Sequence, residues 1–192
     1  MAVKIRCLSV SLALALAASA CTAATERADT SQANEGQQTS ATVPDQAELE
    51  ANATMERVVD GDTIIIDLNG ERERVRLLGI DTPESVAENR PDQCYGAESA
   101  AYLEALLPEG TAITVIRDVE ARDQYDRLLA YIVRTSDQLF VNLDLLQQGY
   151  AGTLIYEPNS HYRDLFEDAE DAAANAGVGL WGVCGGPDVP LN

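Results

Sequence analysis

The stretch ERVVDGDTIIIDLNGERERVRLLGI, residues 56–80, decides the architecture. Its aliphatic and β-branched runs are broken twice, at Asp60-Gly61 and at Asn69-Gly70. Asn-Gly between two such runs is the strongest short-range signal of a β-hairpin. In the second arm Arg72, Arg74 and Arg76 alternate with Glu73, Val75 and Leu77. Side chains alternate across a strand, so the arginines share one face and the aliphatics turn toward the core. Asp81, Thr82, Pro83 and Glu84 follow at once, so a core strand releases a group of charges into a loop.

Outward from the hairpin, GAESAAYLEALLPEG (96–110) reads as a helix. Ala100, Leu103 and Leu107 stand at helical spacing, and Pro108 and Gly110 are stops. TAITVIRDV (111–119) and RLLAYIVRT (127–135) are two further strands, and VNLDLLQQGYA (141–151) is a short helix closed by Gly149. After EPNSH (157–161), Tyr162, Leu165, Phe166, Ala169, Ala172, Ala173 and Ala176 form the apolar stripe of a last helix, which Gly177 and Gly179 end. Trp181 is expected to close that stripe in the core, and His161 to help start the helix. Five short strands with an inserted helix and two trailing ones predict an α+β fold. The expected form is a five-stranded Greek-key barrel of the oligonucleotide-binding (OB) type with about three helices.

The chain opens on MAVKIRCLSVSLALALAASAC, where two cations, a short apolar run and small residues before Cys21 read as a secretory signal over residues 1–20. Two outcomes stand open at that bond. Ala18-Ser19-Ala20 suits an ordinary signal peptidase and release of a soluble protein. AASAC also resembles the bacterial lipoprotein signal, in which Cys21 becomes the lipidated first residue. Removal of the leader leaves Cys21, Cys94 and Cys184. In an oxidising compartment Cys94 and Cys184 can pair, and the odd Cys at the new N-terminus is what an anchor needs. Residues 21–53 hold no aromatic and almost no large aliphatic residue, so they cannot repay the entropy of folding and read as a tether. The folded domain is expected over 54–184, with 185–192 as a tail.

The net charge is −19, and once the leader departs the chain has no lysine. From Arg57 onward 10 arginines face 25 acids, a balance near −15. That excludes a generic coat for nucleic acid or anionic membrane, which needs a basic surface. An anionic substrate must be captured by local charge.

Local charge is available where turns present it, at Asp62, Arg76, Asp81, Glu84 and Arg127. Carboxylates gathered in a small volume repel each other unless a cation fills the space. Oxygen donors without His or Cys select Ca²⁺ or Mg²⁺. Arginines beside such a cation suit phosphate, because the guanidinium fork binds it in bidentate fashion. A metal, two arginines and a spare carboxylate equip a site for attack by water on a phosphodiester.

The motifs VVDGDT, VRLLGIDTPE, CYGAES, DQYDRLLAYI and GLW, in that order, resemble the staphylococcal nuclease family over roughly residues 55–182. The resemblance implies that Asp62 and Asp81 ligate Ca²⁺ by carboxylate and Thr82 by its backbone carbonyl. It implies Glu84 as the group that orients or deprotonates water, and Arg76 and Arg127 as the phosphate clamp. Tyr125 would bond a terminal phosphate and Tyr156 stack on a base. Leu154 stands where the family usually has a second aromatic, and Gln124 where it often has a base. Arg90 is expected to replace some of the lost basic contact. The expected activity is Ca²⁺-dependent cleavage of DNA and RNA, giving 3′-phosphate ends, by an exported monomer, secreted, periplasmic or attached to the membrane through Cys21. A silent nucleic-acid-binding module and a Ca²⁺-stabilised surface lipoprotein are the competing readings.

Overall fold

The computed structural model describes residues 50–85 and 92–190. The leader, Cys21, most of the tether, Arg90 and the last two residues lie outside the described residues. The hairpin stands as its sequence dictates: β1 (Ala53–Asp60), β2 (Thr63–Leu68) and β3 (Glu71–Leu77) run antiparallel in turn. Asn69 and Gly70 take positive φ of 58° and 87° between β2 and β3, the left-handed pair that a two-residue hairpin turn needs. A corner at Leu78 leads into β4 (Gly79–Asp81), and after α1 (Gly96–Leu106) come β5 (Ala112–Ile116) and β6 (Leu128–Arg134).

Five strands close the barrel in the order β3-β2-β1-β5-β6, and β3 returns to β6 in parallel. The closure leaves no open edge among these five. Its inward face is buried: Ile64, Ile66, Val75, Leu77, Ile113, Ala130 and Ile132 are each at most 1% exposed. Each large side chain so buried stabilises the fold by roughly 1.5–3 kcal/mol. The short β7 (Leu139–Phe140) extends the sheet beside β6 and leads into α2 (Val141–Gln147), while β8 (Gly152–Leu154) pairs with β4. At the other boundary, Glu50 and Asn52, in the stretch expected as tether, already bond to β5: the Thr114 hydroxyl donates to Glu50 O at 2.7 Å and Val115 N–H to Asn52 Oδ1 at 2.8 Å.

The helices cap the barrel with an aromatic cluster. Tyr131 meets Phe140, Phe166 and Tyr162 near edge-on at centroid distances of 6.1, 6.0 and 4.7 Å, the arrangement ring quadrupoles prefer. Asn142 is fully buried on α2. It accepts from Ile132 N–H and donates to Leu78 O, both at 2.9 Å, and so ties the β3–β4 corner to the barrel.

Three expectations for the C-terminal part change. In α3 (Arg163–Ala176) Phe166, Ala169 and Ala173 are buried, whereas Ala172 and Ala176 are exposed. At 100° per residue the buried stripe narrows to 162, 166, 169 and 173, and the other two alanines fall outside it. Trp181 is half-buried and its Nε1 has no hydrogen-bond partner among the described residues. In the one-turn α4 (Leu180–Val183) the neighbouring Leu180 takes the core position instead. No side chain caps α3. His161 is exposed, and it is its backbone N–H that donates to Asp118 Oδ2 at 3.0 Å.

Candidate active site

The turn between β1 and β2 places Asp62 against Thr82. Gly61 makes that approach possible, because a Cβ there would lie 2.5 Å from Thr82 Oγ1. Asp62 is buried and accepts from Thr82 twice through Oδ2, from the backbone N–H at 3.2 Å and from the hydroxyl at 3.3 Å. Its Oδ1 accepts from Thr63 Oγ1 at 3.0 Å. The β2–β3 register sets Thr63 opposite Arg76, which puts the guanidinium beside Asp62.

Arg76 is held by its own corner. Nη1 donates to Leu77 O and Ile80 O, both at 2.7 Å. Nη2 faces the other way and meets Asp81 Oδ1 at 2.6 Å and Asp62 Oδ2 at 3.1 Å. One nitrogen is thus anchored in backbone carbonyls while the other is a counter-charge for two acids. With 13% side-chain exposure the group is shielded from water, where its charge interactions are strongest.

Arg127 arrives from the parallel closure. Arg76 is opposite Leu129 in β6, and Arg127 stands just before β6 begins at Leu128, so the pairing carries both arginines to the same cleft. Asp123 orients it, accepting from Arg127 Nε at 2.7 Å and from its backbone N–H at 2.9 Å. Burial raises the Asp123 carboxyl, but the Arg127 bonds outweigh it and hold its pKa below the usual carboxylate value. The Tyr125 ring lies 5.5 Å from Arg127 Cζ, a cation–π distance, with the tyrosine 72% exposed.

A cleft of about 650 Å³ collects these groups. Asp60, Asp62, Arg76, Asp81, Glu84, Tyr125, Arg127 and Tyr156 all line it, and Glu120, Gln124, Leu154 and Glu157 complete one side. Tyr156 is 67% exposed. Thr82 sits behind Asp62 as its hydrogen-bond donor. Cys94 and Cys184 are joined in a disulfide across 90 positions, with Cα atoms 6.0 Å apart.

Asp60 was not singled out from the sequence, where it reads as half of a turn. Its carboxylate accepts from Asp62 N–H at 3.2 Å, and burial, helped by the Asp62 charge, pushes it up to about 6. Burial also pushes Asp81 up to about 6 against the pull of Arg76, with Asp62, Asp188 and Glu84 adding to the rise. Asp123 was missed as well, although its spacing four residues before Arg127 was a usable signal.

Among the described residues no three His, Cys, Asp or Glu side chains form a ready-made metal cage. The donors present do fit a hard divalent cation. Asp60, Asp62, Asp81 and Glu84 share one cleft, all are oxygen donors, and two have pKa values raised by burial and neighbouring negative charge, which a bound cation would relieve.

A closed five-stranded barrel that sets two arginines against a cluster of carboxylates at one lip defines a hydrolase acting on phosphodiester bonds. The family model described as staphylococcal nuclease homologue matches residues 74–183, and the chain belongs to the staphylococcal nuclease family. It is 42% identical over 127 residues to the thermonuclease of Staphylococcus intermedius, covering 66% of this chain and 74% of that one. It is 36% identical over 125 residues to the thermonuclease of Staphylococcus hyicus, covering 65% and 72%. Endonuclease YncB of Bacillus subtilis (strain 168) is 36% identical over 135 residues, covering 70% of this chain and 63% of the relative.

Proposed function

We propose that this protein is an exported, Ca²⁺-dependent nuclease that cleaves DNA and RNA with little sequence preference and leaves 3′-phosphate ends. The observation that carries the reading is the convergence of Arg76, Arg127, Asp62, Asp81 and Glu84 on one cleft. The names of its relatives, thermonuclease and endonuclease, support it.

Asp62 and Asp81 would hold Ca²⁺ by carboxylate and Thr82 by its carbonyl, with Asp60 in the same cleft. Bound there, the ion would supply positive charge to polarise the phosphate and offset the carboxylates. Arg76, fixed through Nη1, turns Nη2 from Asp81 and Asp62 to a phosphate oxygen. Arg127, fixed through Nε, offers its Nη atoms to the same phosphate. Glu84 takes the proton of the attacking water as its oxygen bonds to phosphorus. The bond from phosphorus to the 5′ oxygen breaks, that oxygen leaves as a 5′-hydroxyl with a proton drawn from solvent, and the 3′ side keeps the phosphate. Charge building on the equatorial oxygens meets donors already in place, so little reorganisation is needed. Tyr125 bonds a terminal phosphate and Tyr156 stacks on a base. The absence of sequence preference follows from contacts made to phosphate, sugar and ring faces instead of base edges.

Export is supported by the Cys94–Cys184 disulfide, a bond that persists in oxidising compartments. Residues 1–20 serve as the leader and the stretch from Cys21 to before Glu50 as the tether, and the catalytic domain runs from Glu50, which bonds to β5, through Pro190, which pairs with Gln93, working as a monomer. Cys21 is the point of lipid attachment or of release. The test is incubation of purified protein with supercoiled plasmid and with single-stranded RNA, in Ca²⁺ and in excess chelator. Both substrates should be cut only with Ca²⁺, and the ends should support polymerase extension only after phosphatase treatment. Undiminished cutting in chelator refutes the metal assignment, and no cutting in either condition refutes the activity.

A further inference from the structure

Glu84 has no side-chain hydrogen bond among the described residues, so its aim at the cleft depends on its backbone. Gln93 holds that backbone from both sides. Glu84 N–H donates to Gln93 Oε1 at 2.6 Å, and Gln93 N–H donates to Glu84 O at 2.8 Å. Behind the carbonyl, α1 begins at Gly96, where a Cβ would lie 2.7 Å from Glu84 O, so the helix start packs directly on it. The Gln93 amide is itself fixed. Its oxygen is committed to an N–H donor, and its Nε2 donates to Asp188 Oδ1 at 3.1 Å, so the two partners allow only one orientation.

Asp188 belongs to the chain after α4, and that segment is fastened beside Gln93. Cys94 N–H donates to Val189 O at 2.7 Å, Gln93 forms a β-bridge with Pro190, and the Cys94–Cys184 disulfide ties the segment's start to the same strip. Gln93 does not line the cleft. Its side-chain amide is committed to Glu84 N–H and to Asp188, so the route these contacts offer from Gln93 to the cleft runs through Glu84.

We infer that Gln93 is a positioning residue for Glu84, and that Asp188 on the disulfide-tied C-terminal segment sets Gln93 in place. The inference rests on Glu84 being the group that activates water. A held Glu84 is aimed before substrate arrives, and a loosened one spends part of its time misaimed. A misplacement near 1 Å can cost up to roughly 10²-fold in rate.

The experiment uses the full chain and measures kcat and KM on a short oligonucleotide at saturating Ca²⁺, with circular dichroism as the folding control. Gln93→Ala should lower kcat by roughly ten- to a hundredfold and leave KM unchanged. Asp188→Ala should lower kcat by a smaller factor, and Asp188→Asn, whose amide oxygen still accepts, should restore it. In a Glu84→Gln background Gln93→Ala should cost nothing further, because the group it aims is gone. If Gln93→Ala does not fold, Gln93→Met keeps the side-chain length without either side-chain hydrogen bond and carries the same comparison. A wild-type kcat for the Gln93 variant beside a crippled Glu84→Gln overturns the positioning role. An equal loss in both backgrounds overturns it too. Wild-type turnover in Glu84→Gln instead overturns the assignment of Glu84 on which the inference stands.

Discussion

Replacing Arg127 by lysine keeps a positive charge and removes the fork. In the structure Arg127 does two jobs with different nitrogens: Nε binds Asp123 Oδ2 at 2.7 Å, and both Nη atoms are free of protein hydrogen bonds among the described residues. A lysine has one nitrogen for both jobs. If it stays with Asp123 it abandons the phosphate, and if it reaches the phosphate it leaves Asp123 half-buried without its partner. Either way at least one of the two charge-assisted contacts to the phosphate is lost, worth about 1.5–3 kcal/mol. At 1.36 kcal/mol per factor of ten, turnover should fall roughly 10- to 150-fold. The loss should be mainly in kcat, because the charge on the phosphate oxygens grows toward the transition state. Arg127→Ala, which removes every contact, should fall further than Arg127→Lys. Initial rates on a short oligonucleotide at saturating Ca²⁺ provide the measurement. Unchanged turnover in Arg127→Lys would refute the bidentate contact and leave charge alone as the role of the residue, and equal losses in the two variants would mean that the lysine makes no productive contact with the phosphate.

Glu84→Gln should lower turnover by roughly 10²–10⁴-fold, the range for a positioned base, while nucleotide affinity measured by equilibrium titration stays near wild type. Replacing Cys94 and Cys184 by serine should cost about 2–5 kcal/mol of stability, since the bond closes a loop of 90 positions; an unshifted urea midpoint would contradict this. Activity against NaCl should show a broad optimum displaced to higher salt. Asp60, Glu120, Asp123 and Glu157 line the cleft and repel a polyanion, and screening shortens from about 10 Å at 0.1 M to about 3 Å at 1 M. Counterion release pulls the other way, so a steep fall from the lowest salt would show that the acids exert no net repulsion.

Much of the barrel could be read from the chain because its signals are local. Asn69-Gly70 specifies a hairpin by the φ values of two residues, and the alternation of Val75 and Leu77 with Arg74 and Arg76 depends only on strand geometry. That Asp62, Arg76, Asp81, Glu84 and Arg127 would gather in one cleft could be expected because each stands at or near the end of a strand or in a turn. Their partners were harder to find. Asp60 looked like turn chemistry until burial beside Asp62 gave it a raised pKa, and a pKa depends on surroundings that neighbours in sequence do not supply. Ala172 and Trp181 were misplaced for a similar reason. Apolar character says that a residue could be buried, while the width of the face that packs decides whether it is.

What the sequence by itself determined is therefore the five strands of the barrel, the turn chemistry, and the oxygen donors and arginines that the cleft collects, while the short β4, β7 and β8 went unread. The tertiary structure alone decided how those residues meet. The parallel return of β3 onto β6 brings Arg76 and Arg127 to one cleft from positions 51 apart in the chain. Asp188 reaches Gln93 across 95 positions and, through it, the backbone of Glu84. Such contacts cost loop-closure entropy and carry no local pattern, so they come into being only when the whole barrel closes.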